Sequence, residues 1–219
     1  MDARRLPAAV LAAAGDRRGG AAEVAATALD GLLEVADDQA RLEEAVAVLL
    51  AGQPAMAPIW HLARAAHAPD PAAALADLRR RLTTDAEEAV AAATAWLRRH
   101  LADHPGAVAT VSHSSLVERV LARLGPVHGD SVVGVVGADA VGPDGVLNAV
   151  GTRALAEAVP TLVVATGIKL VPGEVFDRLA GPGFEVVPLV AVAAVVVGPE
   201  VLSPAEAGRR AEAVSRGCP

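Results

Sequence analysis

Apolar residues recur at helical spacing through the first hundred positions. Over 21–36, Val24, Ala28, Leu32 and Val35 share one face. Over 40–51, Leu42, Val46 and Leu49 do the same, and Gly52 ends the segment. Pro58 fits the first turn of a helix running to His67. The stretch "APDP" (68–71) breaks the chain, and a helix resumes over 72–82. Thr83, Thr84 and Asp85 are expected to cap a further long helix. Its face is Val90, Ala93, Leu97 and Leu101, and it ends at His104, Pro105 and Gly106.

The period then changes. Short apolar runs at 107–111, 131–136 and 161–165 alternate with helical segments at 115–124 and 147–159; strands at 185–187 and 192–197 and a helix over 204–215 follow. Continuous apolar runs separated by helices predict a parallel sheet covered on both faces. Only "GPVHGD" separates Leu124 from Ser131. A parallel crossover needs roughly a dozen residues or more, so the 115–124 helix must itself be the crossover. The fold class is α/β: a helical N-terminal domain, 1–105, followed by a Rossmann-like parallel-sheet domain, 106–219. No internal repeat is visible.

Composition narrows the function. The 219 residues are 53% hydrophobic and only 2% aromatic, so Ala and Val supply most of the core. A net charge of −7 and a pI near 5.3 argue against a nucleic-acid partner. The one cysteine, Cys218, excludes an intrachain disulfide and suits a reducing compartment. The start, "MDARRLPAAVLAAAGDRR", imitates a secretory leader, but its apolar run is short and no ordinary polar region follows. The longest apolar run, 186–198, is interrupted by Pro188 and falls short of the roughly 20 residues a membrane span needs. A soluble, cytoplasmic protein without a membrane or nucleic-acid partner is expected.

The chemistry concentrates in "GADAVGPDGVLNAVGT" (137–152). Parallel sheets bind ligands beyond the carboxyl ends of their strands. Asp139 falls there, either as a ligand contact or as an acid capping the next turn. Asn148 is expected at a helix N-terminus, a natural anion site, as N-cap or as ligand contact. Gly151 lets that helix pack close to the sheet, and Thr152 offers a hydroxyl. Ser112, His113, Ser114 and Ser115 form a turn whose hydroxyls and N–H groups suit an anion or a plain helix cap. They lack the G-x-S-x-G elbow of a hydrolase. Lys169, the only lysine of the chain, follows a strand. It is either a surface residue with its stem laid on apolar neighbours or a ligand contact. His100 and His104 have metal-compatible spacing without an acid partner, so exposed helix-end histidines are expected and no metal or other cofactor.

"GADAV" followed by "DGVLNAVGT" resembles the G-A-D and Asn-Lys-x-Gly-Thr elements of the translation initiation factor 2B alpha/beta/delta family. That family also holds methylthioribose-1-phosphate and ribose-1,5-bisphosphate isomerases. "QPAMAPI" (53–59), "TVSHSSLVERVL" (110–121) and "TLVVATGIKLV" (161–171) resemble three further family segments in order. The resemblance implies a small phosphorylated sugar or nucleotide as ligand, a homodimer, and Ser112, Ser114, Ser115, Gly137, Asp139, Asn148, Thr152 and Lys169 as ligand-binding residues.

Departures from the pattern bear on activity. In the isomerases a cysteine works with the G-A-D aspartate in aldose–ketose proton transfer. Ser112 stands at that cysteine's place, and a hydroxyl is a much weaker acid than a thiol. Ala149 replaces the lysine after the motif Asn, and Gln53 replaces an Arg. The resemblance also implies a strand–helix unit ahead of the G-A-D strand, which is missing here. Non-catalytic metabolite binding or a regulatory subunit is therefore expected. The alternatives are a sugar-phosphate isomerase with a trimmed site, using Asp139, and a purely structural assembly protein.

Overall fold

The computed structural model describes residues 6–214 except 112 and 180. Its first half is helical: α1 (Ala8–Gly15), α2 (Ala21–Leu33), α3 (Gln39–Gly52), α4 (Ala57–Ala66) and α5 (Pro71–Asp103). Helices α1 to α4 bury Val24, Leu32, Leu42, Leu49, Ile59 and Leu62 against one another, with Leu75 from the start of α5. The expected cap at Thr83, Thr84 and Asp85 is overturned, because α5 runs through it without a break. Thr83 Oγ1 donates to the carbonyl of Arg79, one turn back, so its hydroxyl bonds to the helix rather than starting a new one. The second half of α5 leaves the helical core. Ala89, Val90, Ala93 and Leu97 pack on the sheet.

The rest is built on β1 (Ala107–Ala109), α6 (Ser115–Leu124), β2 (Ser131–Val136), β3 (Ala140–Val141), β4 (Gly145–Ala149), α7 (Thr152–Ala158), β5 (Thr161–Ala165), α8 (Gly173–Phe176), β6 (Phe184–Pro188), β7 (Ala194–Val197), β8 (Glu200–Leu202) and α9 (Pro204–Glu212). The main sheet has the order β1-β2-β5-β7-β8. Its first four strands are parallel, and β8 closes the edge antiparallel. Helix α6 is the crossover between the parallel strands β1 and β2, as the six-residue spacer requires. Val133, Val135, Leu162 and Val164 face α5 and α6; Val136, Val163, Ala165 and Val195 lie in the core shared with α9. Burial on both faces is why these strands read as unbroken apolar runs.

The segment 147–159 departs from expectation. Its first residues are not helical: Val146, Leu147 and Asn148 lie in β4, the middle strand of a second, antiparallel sheet, β3-β4-β6. "VGPDGV" turns the chain back as a hairpin, with the N–H of Gly142 donating to Gly145 O at 2.8 Å. Strand β6 then pairs along the whole of β4, so the 185–187 segment belongs to this second sheet and not to the parallel one. Helix α7 starts only after Gly151, whose φ of 103° suits a residue without Cβ. Among the described residues, no helix is long and apolar enough to cross a membrane.

Candidate functional site

The carboxyl ends of β1, β2 and β5 open onto a cavity of about 260 Å³. Beyond β1 come Ser114 and Ser115, at the start of α6. Beyond β2 come Gly137 and Asp139. Beyond β5 comes Lys169, on a 3-10 turn, Gly167–Lys169. Gly137 permits close packing here: a Cβ would stand 2.7 Å from Ser114 Oγ. Ser114 occupies the N-cap position of α6, but its side chain makes no capping bond.

The hairpin brings Asn148 beside Asp139. The Asp139 N–H donates to Leu147 O at 2.9 Å, one residue before Asn148. Asn148 thus reaches the cavity from a strand, and the expectation that it sits at a helix N-terminus is overturned. The nearby helix terminus is already occupied. Glu185 Oε1 accepts from the N–H groups of Gly151 and Arg153 at 2.8 and 2.9 Å. Thr152 is fully buried and lies outside the cavity lining. Its hydroxyl accepts from Asn148 Nδ2 at 2.9 Å and donates to Ala149 O at 2.7 Å, so it orients Asn148. Ser112 lies outside the described residues, as does Cys218.

Lys169 is only 4% exposed, which overturns the surface alternative. Its Nζ donates to the carbonyl of Ala138, and among the described residues it forms no ion pair. Burial pushes the ammonium below the ordinary lysine range, and the charge of Asp139 draws it partly back. Burial likewise pushes the Asp139 carboxyl above the ordinary carboxylate range, opposed by Lys169. Nothing among the described residues donates to that carboxylate, so Asp139 does not cap the following turn. A partly desolvated acid and amine, both held toward their neutral forms, therefore share one cavity.

A basic loop at the end of the leader-like stretch completes the lining. Arg17, Arg18, Gly19 and Gly20 join α1 to α2 and border the cavity, with Ala21 and Ala22 of the first turn of α2. Asp16 Oδ1 shapes the loop, accepting from the N–H groups of Arg18 and Gly19 at 2.8 Å each. Those backbone bonds, Gly19 foremost, hold its carboxyl below the usual range. Arg17 Nη1 donates to the carbonyls of Ala14, Asp16 and Gly52 at 3.0 Å each. The Arg18 guanidinium is exposed and makes no hydrogen bond or ion pair among the described residues. The available signal was an arginine pair just before the start of an amphipathic helix. The N–H groups of Arg18, Gly19 and Gly20 are taken by Asp16 and Glu23, so the loop offers an anion its positive charge and the first helical N–H groups of α2.

Gln53 has a structural place. Buried at the end of α3, its Nε2 donates to Ala13 O and Asp16 O at 2.7 Å each, and more weakly to Ala14 O. It satisfies carbonyls that the end of α1 leaves open. His100 stacks on Trp96 with ring centroids 5.2 Å apart, and its centroid lies 5.0 Å from that of His104. Among the described residues, no group of three or more His, Cys, Asp or Glu is placed to hold a metal.

Fold and site together define an α/β protein with a helical first half. Its cavity lies beyond parallel strands, between a basic loop, two helix N-termini and an acid–lysine pair. Solved structures with this architecture include translation initiation factor 2B proteins. The chain is similar to translation initiation factor eIF-2B of Pyrococcus horikoshii OT3, with a TM-score of 0.69 at 18% identity, covering 91% of this chain and 98% of that one. It is also similar to the tetrameric eIF2B-beta2-delta2 complex from C. thermophilum, with a TM-score of 0.67 at 15% identity and coverage of 92% and 91%. For the delta subunit from A. fulgidus the TM-score is 0.55 at 14% identity, with coverage of 97% and 92%. Likeness at these identities shows the fold, which is that of the initiation factor 2B subunits. No protein-family model and no curated protein matches the chain.

Proposed function

We propose that the chain is a non-catalytic member of the initiation factor 2B alpha/beta/delta family whose cavity binds a small phosphorylated sugar or nucleotide, in a metabolite-binding or regulatory role. The observation that carries this reading is the convergence of Arg17, Arg18 and the N-termini of α2 and α6 on one cavity with Asp139 and Asn148. The basic loop and helix termini suit a phosphate. The carboxylate and amide suit sugar hydroxyls.

Asp139 and Asn148 favour the isomerase alternative. Aldose–ketose transfer needs a second proton-carrying group, and Ser112 stands where the family resemblance places a thiol. Binding survives such a loss; turnover depends on groups placed for the transition state. The proposal includes a cytoplasmic homodimer. The C. thermophilum neighbour is a tetrameric complex, and Val186 and Val190 of this chain stand exposed on and just beyond β6.

Thermal-shift measurements with ribose 1,5-bisphosphate and a nucleoside monophosphate test the reading. A ligand that binds only the native state raises apparent stability. The expected result is a concentration-dependent rise that Asp139→Asn weakens at least tenfold in affinity, with the fold intact. Absence of any shift at millimolar ligand overturns it. Ketose formation abolished by Asp139→Asn overturns its non-catalytic part.

A further inference from the structure

The chain uses arginine almost everywhere it needs a cation: eighteen of its nineteen Lys and Arg residues are arginines. An arginine stays charged in proteins, whereas a buried lysine can give up its proton and act as a nucleophile. The single lysine is placed where that difference matters. It is 4% exposed, lines the cavity, donates to one backbone carbonyl and has no ion-pair partner among the described residues. Asp139 lines the same cavity, and nothing among the described residues donates to its carboxylate.

We propose that Lys169 Nζ captures the open-chain carbonyl group of a phosphorylated sugar or aldehyde as a reversible imine, with Asp139 carrying protons between nitrogen and oxygen. The inference rests on the binding reading above and adds a covalent step to it. The amine nitrogen adds to the carbonyl carbon, and the carbonyl oxygen becomes a hydroxyl. Asp139 returns a proton to that hydroxyl, which leaves as water with both hydrogens of the amine. The product is C=N, and no oxidant or reductant is consumed. Burial works in the required direction on both partners, holding the amine toward its nucleophilic neutral form and the acid toward its proton-bearing form. The basic loop would hold the phosphate end, which selects phosphorylated carbonyl compounds over free ones.

Reductive trapping tests this on the intact chain. The protein is incubated with glycolaldehyde phosphate, which cannot cyclise, and treated with sodium borohydride. Hydride adds to the imine carbon and fixes the adduct as a secondary amine. Only one lysine exists, so a single internal site can carry the adduct, and the α-amino group is the one other amine. The expected result is one adduct, mapped to Lys169. It forms at least tenfold faster than with unphosphorylated glycolaldehyde, and at least tenfold slower in Asp139→Asn. An adduct confined to the α-amino group overturns the proposal. So does labelling of Lys169 that is equally fast with the unphosphorylated aldehyde or in denatured protein. Glycerol 3-phosphate, which has no carbonyl, separates the two levels in a parallel thermal-shift assay. A shift with glycerol 3-phosphate but no Lys169 adduct sinks the imine and leaves the binding reading standing. If neither is seen, both fail.

Discussion

The backbone N–H of Ala57 donates to the carbonyl oxygen of Asp139 at 3.1 Å. The first N–H groups of a helix have no partner inside it. Here one of them, at the start of α4, is satisfied by the residue that carries the acid of the cavity. The helical half and the sheet half therefore meet at Asp139. Met56, one residue earlier, lines the same cavity. Displacing α4 shifts the backbone from which the carboxylate projects.

Gln53→Ala should destabilise the helical half. It removes the amide that serves the carbonyls of Ala13, Ala14 and Asp16 in a buried position. Loss of a buried donor costs about 1–3 kcal/mol. For a chain of this length that corresponds to a fall in Tm of roughly 2–10 °C. Differential scanning calorimetry reads it directly, and an unchanged Tm would show that Arg17 alone closes this corner.

Gly137→Ala should damage the cavity more than the fold. The added Cβ would meet Ser114 Oγ at 2.7 Å and Ser114 Cβ at 2.9 Å, so the start of α6 must move. Overpacking of this kind costs about 1–3 kcal/mol. The affinity for ribose 1,5-bisphosphate is expected to fall at least tenfold by calorimetric titration. Wild-type affinity in the variant would place the phosphate away from α6.

His61 should make the protein sensitive to acid. Burial, aided by the charges of Arg64 and Arg81 and opposed by the bond to Leu170 O, lowers its pKa from 6.5 to about 4. The unfolded chain then binds more protons than the folded one between those values. Stability is fully present above pH 6.5 and falls as the pH drops toward 4, by on the order of 3 kcal/mol. Asp139, whose pKa is raised, works in the opposite sense, so His61→Gln is compared with wild type in the same background. Urea titrations at pH 7.0, 5.5 and 4.5 should show a flatter pH dependence in the variant; identical slopes would refute the assignment.

Val190 is 90% exposed and Val186 43% exposed, two apolar side chains close together on and just beyond β6. The homodimer proposed above should bury at least about 1,200 Å² in total. Light scattering at micromolar concentration should report twice the monomer mass, and Val190→Asp should reduce it to one. A monomeric wild-type protein would remove the dimer from the proposal.

The sequence by itself determined the helical first half, the parallel strands β1, β2, β5 and β7, and the crossover role of α6. Periodicity and spacer length are local quantities, and they suffice for these. It also singled out Gly137, Asp139 and Asn148, because a short polar motif directly after an apolar strand is visible along the chain. Other features needed the tertiary structure. The apolar run at 145–149 fits a buried strand and the start of a helix equally well; pairing with β6, some forty residues away, decides for the strand. Thr83 looks like a cap until its hydroxyl is seen bonding the carbonyl of Arg79 within a continuous α5. Nothing local to Lys169 tells a surface lysine from a buried one. Its place under Ala138 comes from strands β2 and β5 lying side by side. Arg17 and Arg18 reach the cavity because Gln53 and Gly52 hold their loop from another helix. Burial and convergence depend on contacts between residues distant in sequence, and a one-dimensional pattern carries no record of which of those contacts form.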